Sequence, residues 1–256
     1  MAERSARIAA VGVGDISLRL RLGFPWCAAL LAAACVLVTL PALIAPARFY
    51  LVLGAGCCEL DNPHMHWWHP LVTPFLHGVG CGTAPTLLHL VANVALFVLH
   101  GAIIERLLGS ARFALLTLTG LVVHMVLSYV IASGRTHGAS GMTWSYLLFV
   151  GFVLAWIYRR ERWRWLRDPL STAVAAAFVL GLAGLTKHWH VWSVLVSVPF
   201  LLAWAPSMRG NLERIAAGSA PVLGSVAGRI AGIGCCAALV AFDGVVVVGA
   251  VAGWIR

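Results

Sequence analysis

Long apolar runs separated by short basic clusters set the pattern of this chain. Seven runs approach the length needed to cross a bilayer as a helix, about 20 residues. They cover 26–45, 87–104, 113–132, 138–157, 170–186, 190–206 and 230–254. The pattern predicts seven membrane helices. Only Lys187, His188 and Trp189 separate the fifth from the sixth, which begins at His190, so a tight reversal is required there. The first run follows Arg19 and Arg21 and is longer than a signal-peptide core, so a retained helix is expected. The longest connection, 48–85, holds several prolines that oppose a continuous helix, with Trp67 and Trp68 suited to the membrane interface. The organisation expected is an N-terminal segment 1–25, a membrane core 26–206 and a C-terminal part 207–256 with the seventh helix. The stretch between Glu213 and Arg229, rich in Gly, Ala and Ser, reads as interfacial.

Composition excludes a soluble fold. Apolar residues make up 61% of the 256 and charged ones 11%, against about 45–50% and about 25% in ordinary globular domains. A soluble domain of this size has too little interior to hide such a surface. Lys and Arg number 18 against 9 acidic residues, a balance that elsewhere suggests nucleic acid. Here the arginines sit between apolar runs, where they set orientation, so the bilayer is the expected partner and nucleic acid is not. With the N-terminus cytoplasmic, Arg48, Arg135, Lys187 and Arg256 fall outside and the other fourteen basic residues fall inside. The expected location is a bacterial inner membrane or a plasma membrane. Seven cysteines include the adjacent pairs Cys57–Cys58 and Cys235–Cys236 but no CxxC, which argues against a disulfide scaffold.

Once orientation is chosen, the polar residues inside the runs become informative. The second, fourth and sixth helices then run from outside to inside, so His89, Asn93, Ser140 and His190 share one depth just below the outer surface. A serine and a histidine in reach of each other make a nucleophile and a general base. Each residue also has an ordinary reading. Gly138-Ala139-Ser140-Gly141 is a small surface of the kind membrane helices use for close packing. His89 and Asn93, four apart on one helix face, are able to bond a neighbouring helix, and His190 is able to serve as a structural histidine. His188 and His190 point to nearly opposite sides of a helix. His190 shares a face with Ser193 and Ser197, which favours it over His188 as the base.

These elements resemble the rhomboid family of intramembrane serine proteases. His89 to Asn93 (HLVAN) is similar to the family's His-x-x-x-Asn element, and Glu105 and Gly109 match the residues that close that helix. Gly138-Ala139-Ser140-Gly141 resembles the nucleophile motif Gly-x-Ser-Gly. Trp144 matches an aromatic that stacks on the catalytic histidine, and HVWSVLVS resembles His-x-x-Gly-x-x-x-Gly with Ser193 and Ser197 in place of both glycines. WHPLVTPFLH resembles the outer-loop Trp-Arg…Phe-x-His stretch, with His77 as its histidine and His69 where the arginine stands. The resemblance spans roughly 67–206. It departs at His137, where many active members carry glycine, and at Trp189, where alanine is usual.

The resemblance implies an all-α polytopic membrane protein, a rhomboid-like six-helix bundle with a seventh, C-terminal transmembrane helix. It implies a Ser140–His190 dyad oriented by Trp144, with Asn93, His89 and the Ser140 N–H meeting the oxyanion. His77, His137 and Gly138 would line the cavity, and Gly141, Ser193 and Ser197 would frame a cleft for transmembrane substrates. No cofactor is expected. The same fold also hosts inactive relatives that bind client transmembrane segments, a reading that His137 and Trp189 favour. His64, His66 and His69 are weak candidates for a metal, since their spacing matches no defined site and HExxH is absent. Asp243 lies near the middle of the seventh run, where a carboxyl is costly unless it faces protein or water.

Overall fold

A computed structural model of the chain describes residues 24–46, 49, 66–77, 83–130, 138–161, 168–185 and 188–254. Every regular element among them is helical. Helix α1, Trp26–Ile44, is followed by a short α2, His69–Val72, and a 3-10 turn, Thr73–Phe75. The second span consists of α3, Thr83–Leu96, a π turn, Phe97–Gly101, and α4, Ala102–Leu108. Next comes α5, Ser110–Val130, and then a fourth span broken into α6, Ser140–Trp144, and α7, Leu147–Glu161. Helices α8, Pro169–Gly184, α9, His188–Ala216, and α10, Val226–Ala252, complete the bundle. The chain is thus an all-α polytopic membrane protein. Five helical stretches are long and apolar enough to cross a membrane on their own, while apolar Ser110–Val123 and Pro169–Ala183 are shorter.

The boundaries depart from the apolar runs in ways the physics explains. The second span starts at Thr83, and in its first turns Thr86 and Leu90 turn inward against the bundle. Helix α9 continues ten residues past Pro206, with Pro199 and Pro206 inside it. Neighbouring helices in a membrane bundle compensate the hydrogen bonds that proline removes. The seventh helix begins at Val226 with the Ser225 side chain capping it through the Gly228 N–H at 3.1 Å.

Small residues set the spacing between helices. Helix α1 buries Cys27, Ala28, Ala32, Ala34, Cys35 and Ala42, and α10 packs along it and along α5. A Cβ on Gly232 of α10 would come within 2.5 Å of the Ser110 carbonyl, and one on Gly120 of α5 within 2.9 Å of the Gly141 carbonyl. Those two glycines seat the last helix and the broken fourth span on α5. The outer surface is apolar: Leu88, Val91, Val122, Leu180, Leu202 and Val245 are all exposed. In water this belt would drive aggregation, whereas lipid covers it.

At the end of the bundle where α1 begins, Glu105 reaches from α4 to the first turn of α1. Its carboxylate accepts from the backbone N–H of Cys27 at 3.2 Å and of Ala28 at 3.0 Å, and from the Ser110 hydroxyl at 2.7 Å. Those N–H groups have no partner within their own helix, and the negative charge meets the positive end of its dipole. Nearby, Asn211 donates to the carbonyls of Leu107 and Val222 and accepts from the Val222 N–H. This ties α9 to the second span and to the segment before α10.

Candidate active site

Helix α6 begins at Ser140, and what precedes it is held by backbone bonds. Gly138 has φ +103, a conformation that L side chains rarely adopt. A Cβ there would also lie 2.8 Å from Cε1 of His89. The Gly138 N–H donates to the Thr73 carbonyl at 3.1 Å, and the Ala139 N–H donates to His77 Nε2 at 3.2 Å. The segment entering the helix is therefore fixed from α2 and its following turn.

His77 is fully buried, and its partners define its tautomer. Because Nε2 accepts from Ala139, the proton resides on Nδ1, which donates to the Phe75 carbonyl at 2.9 Å. Thr39 of α1 supports the same turn. Its hydroxyl donates to the Phe75 carbonyl at 3.0 Å and accepts the His77 backbone N–H at 3.2 Å. His89 meets His77 edge to face, with ring centroids 5.0 Å apart. Thus α1, α2 and α3 all bear on the two residues before Ser140.

Asn93 lies one turn below His89 and is buried. One of its amide N–H groups donates to the His89 carbonyl at 3.0 Å. The Thr143 hydroxyl lies 3.3 Å from both Asn93 Oδ1 and the Ser140 carbonyl, with a single proton to share. That arrangement turns Asn93 Oδ1 toward α6 and leaves the second amide N–H as a donor. Thr143 escaped the sequence reading, although its place three residues after Ser140 puts it on a neighbouring position of the same helical surface. Thr39 escaped it too, being one threonine in an otherwise apolar run.

Trp144 is stacked on His190, with centroids 4.2 Å apart and planes 19° from parallel. Its indole N–H donates to the Gly181 carbonyl of α8 at 3.2 Å, which fixes the ring. Ser140 and Trp144 are i and i+4 on α6, so their side chains share one face about 5–6 Å apart. The stack joins the short helix that begins at Ser140 to the start of α9. Among the described residues the Ser140 hydroxyl has no hydrogen-bond partner. Ser193 and Ser197 are buried on α9, and the Ser197 hydroxyl turns back to the Val194 carbonyl at 2.6 Å. Gly141 is buried in the first turn of α6.

Other sequence candidates fall elsewhere. His64 and His137 lie outside the described residues, as do the side chains of His188 and Trp189. His66 is stacked on Trp68 at 4.2 Å, and its N–H donates to Nδ1 of the buried His69 at 3.2 Å. Among the described residues no three side chains of metal-binding type converge. Asp243 faces protein: it is fully buried in α10, and among the described residues neither carboxyl oxygen has a hydrogen-bond partner.

The sequence model of the Rhomboid domain matches residues 64–239, more than half of the chain. That stretch contains His77, His89, Asn93, Ser140, Trp144 and His190. Comparison with curated proteins and with solved structures gave no match.

Proposed function

Because the chain belongs to the rhomboid family, which comprises intramembrane proteases and inactive relatives, we propose that it is a serine endopeptidase acting inside the bilayer. Ser140 is the nucleophile and His190 the base. The observation that carries this reading is the stack of Trp144 on His190, since Trp144 shares a short helix and a face with Ser140.

Ser140 Oγ attacks the scissile carbonyl carbon while His190 takes the hydroxyl proton. The tetrahedral oxyanion collapses, the C–N bond breaks, and His190 returns the proton to the departing amine. Water then hydrolyses the acyl-enzyme by the same transfers in reverse roles. The free N–H of Asn93, together with His89 and the Ser140 backbone N–H, meets the oxyanion; one such donor is worth about 3 kcal/mol in the rate. Trp144 orients the imidazole as a carboxylate does in a triad. Closing the Ser140–His190 bond on substrate binding accords with the loose geometry of catalytic hydrogen bonds in unliganded sites.

Substrates are single-pass transmembrane segments cut near the outer face, where local unwinding frees a carbonyl. Gly138, Gly141, Ser193 and Ser197 frame a cleft that suits small residues beside the cut. The fourteen basic residues on one side support a cytoplasmic N-terminus and a site that opens outward, in a bacterial inner or plasma membrane.

A second reading, an inactive relative that holds client segments in the same cleft, draws on the Ser140 hydroxyl having no partner among the described residues. One experiment separates the two. A fluorophosphonate probe is expected to label the purified protein, with loss of labelling in Ser140→Ala, and a membrane-embedded reporter is expected to be cut only by the wild type. Absence of labelling with intact client binding in both proteins would establish the holder. Labelling that survives Ser140→Ala would move the nucleophile elsewhere.

A further inference from the structure

A cavity of about 160 Å³ opens at the end of the bundle where α1 and α10 begin, remote from Ser140. It is lined by Phe24, Glu105, Arg106, Ser110, Ser225 and Arg229, among others. Two arginines from different spans converge on it, Arg106 from α4 and Arg229 from the first turn of α10. Among the described residues neither makes an ion pair or a side-chain hydrogen bond, and the Nε of Arg106 is buried without an acceptor. A buried guanidinium donor left unpaired costs free energy that an arriving acceptor recovers.

Among the described residues the only carboxylate on the cavity wall, Glu105, is already committed. Both oxygens of Glu105 accept bonds, from the Cys27 and Ala28 N–H groups and the Ser110 hydroxyl, so its charge faces the start of α1. Backbone donors supplement the arginines. Ser225 caps α10 through Gly228, and the N–H groups of Val226 and Ala227 are left without partners among the described residues. A 27-residue helix presents its positive end there. The volume exceeds that of a single water, about 30 Å³ in the liquid, and admits a tetrahedral anion.

We propose that Arg106, Arg229 and the start of α10 form a binding site for a phosphate group. Guanidinium forks and backbone N–H groups together match the acceptor geometry of a tetrahedral oxyanion better than that of a planar carboxylate. A phosphate there comes from an anionic lipid headgroup or from a soluble phosphate. Phe24 and Val226, exposed beside the cavity, supply an apolar wall against which an acyl chain packs. The site ties α4 to α10, so its occupant fastens the seventh helix to the second span.

The test uses the full chain, purified in detergent, and measures binding by thermal shift and by native mass spectrometry. One arm titrates phosphatidylglycerol and the other inorganic phosphate, each against wild type, Arg106→Gln, Arg229→Gln and the control Arg209→Gln. Arg209 is exposed and paired with Glu213 at 3.0 Å. Binding is expected to weaken about tenfold in each cavity variant and to stay unchanged in the control. Saturation by the lipid alone identifies the headgroup as the source; arginine-dependent saturation by inorganic phosphate identifies a soluble ligand. Either result supports the site. Binding that ignores both cavity arginines in both arms, or that Arg209→Gln weakens as much, overturns it. Arg229→Gln, at an exposed position in the first turn, keeps the test decisive where Arg106→Gln fails to fold.

Discussion

The two ends of the bundle handle buried polar groups in opposite ways. At the Glu105 end two buried side chains are fully engaged: the carboxylate closes three hydrogen bonds and one amide, Asn211, closes three more. Around Ser140 the framing residues are matched and the central ones are open. His77 and Thr39 are saturated by backbone groups, whereas the Ser140 hydroxyl and one N–H of Asn93 have no partner among the described residues, which under the proposed function leaves them to a substrate. The difference teaches where the free energy of each end goes. Complete pairing holds spans together, and incomplete pairing held in a rigid frame leaves groups ready for chemistry.

Substitutions sharpen this contrast, beginning with the largest effect. Glu105→Ala removes a charged acceptor from two N–H groups and a hydroxyl that stay buried, and a loss of about 3 kcal/mol or more is expected. Thermal unfolding in detergent reads it directly, and Glu105→Gln should recover part of the loss. An unchanged midpoint would mean that the closed end is not what holds α1.

A smaller effect is expected at the frame of the open end. Thr39→Val deletes one hydroxyl that serves Phe75 and His77, for about 1–2 kcal/mol of stability. Because His77 holds the Ala139 N–H, reporter cleavage should fall further than the folded fraction does, through kcat rather than KM. Equal losses in stability and cleavage would reduce Thr39 to ordinary packing.

The smallest expected effect has the opposite sign. Asp243 belongs to neither pattern, for its carboxyl is buried in α10 with no partner among the described residues. Asp243→Asn keeps the shape and removes the acid, and Asp243→Leu fills the site with an apolar group. A gain of about 1 kcal/mol is expected for the leucine. A marked loss of stability with both variants would show that the acid is bonded in the membrane.

Much of this arrangement is legible before any coordinates. Runs of apolar residues mark the spans because the bilayer tolerates little else, and Ser140 and His190 stand out as polar residues at the start of such runs. The pairing of Trp144 with His190 is readable from spacing only once the family's motif is in hand. Thr39 was not legible, since a threonine within an apolar helix has the same signature whether it bonds its own backbone or a loop. The extension of α9 past Pro206 was hidden for a related reason: proline halts a helix in water, while packed neighbours in a membrane replace the lost bond. The backbone bond from Gly138 to Thr73 leaves no trace in residue type at all.

The π turn at Phe97–Gly101 links the two ends. Asn93 and Glu105 lie twelve positions apart on one span, and both are buried. Along a regular α-helix twelve steps of about 100° leave two side chains roughly 120° out of phase. A π turn acts as one inserted residue, and removing one step of rotation brings them within about 20°. The extra residue therefore works as a phase corrector, letting the Asn93 amide and the anchoring carboxylate face the interior from the same span. A second span one residue shorter would have to give up either the donor at one end or the clasp at the other.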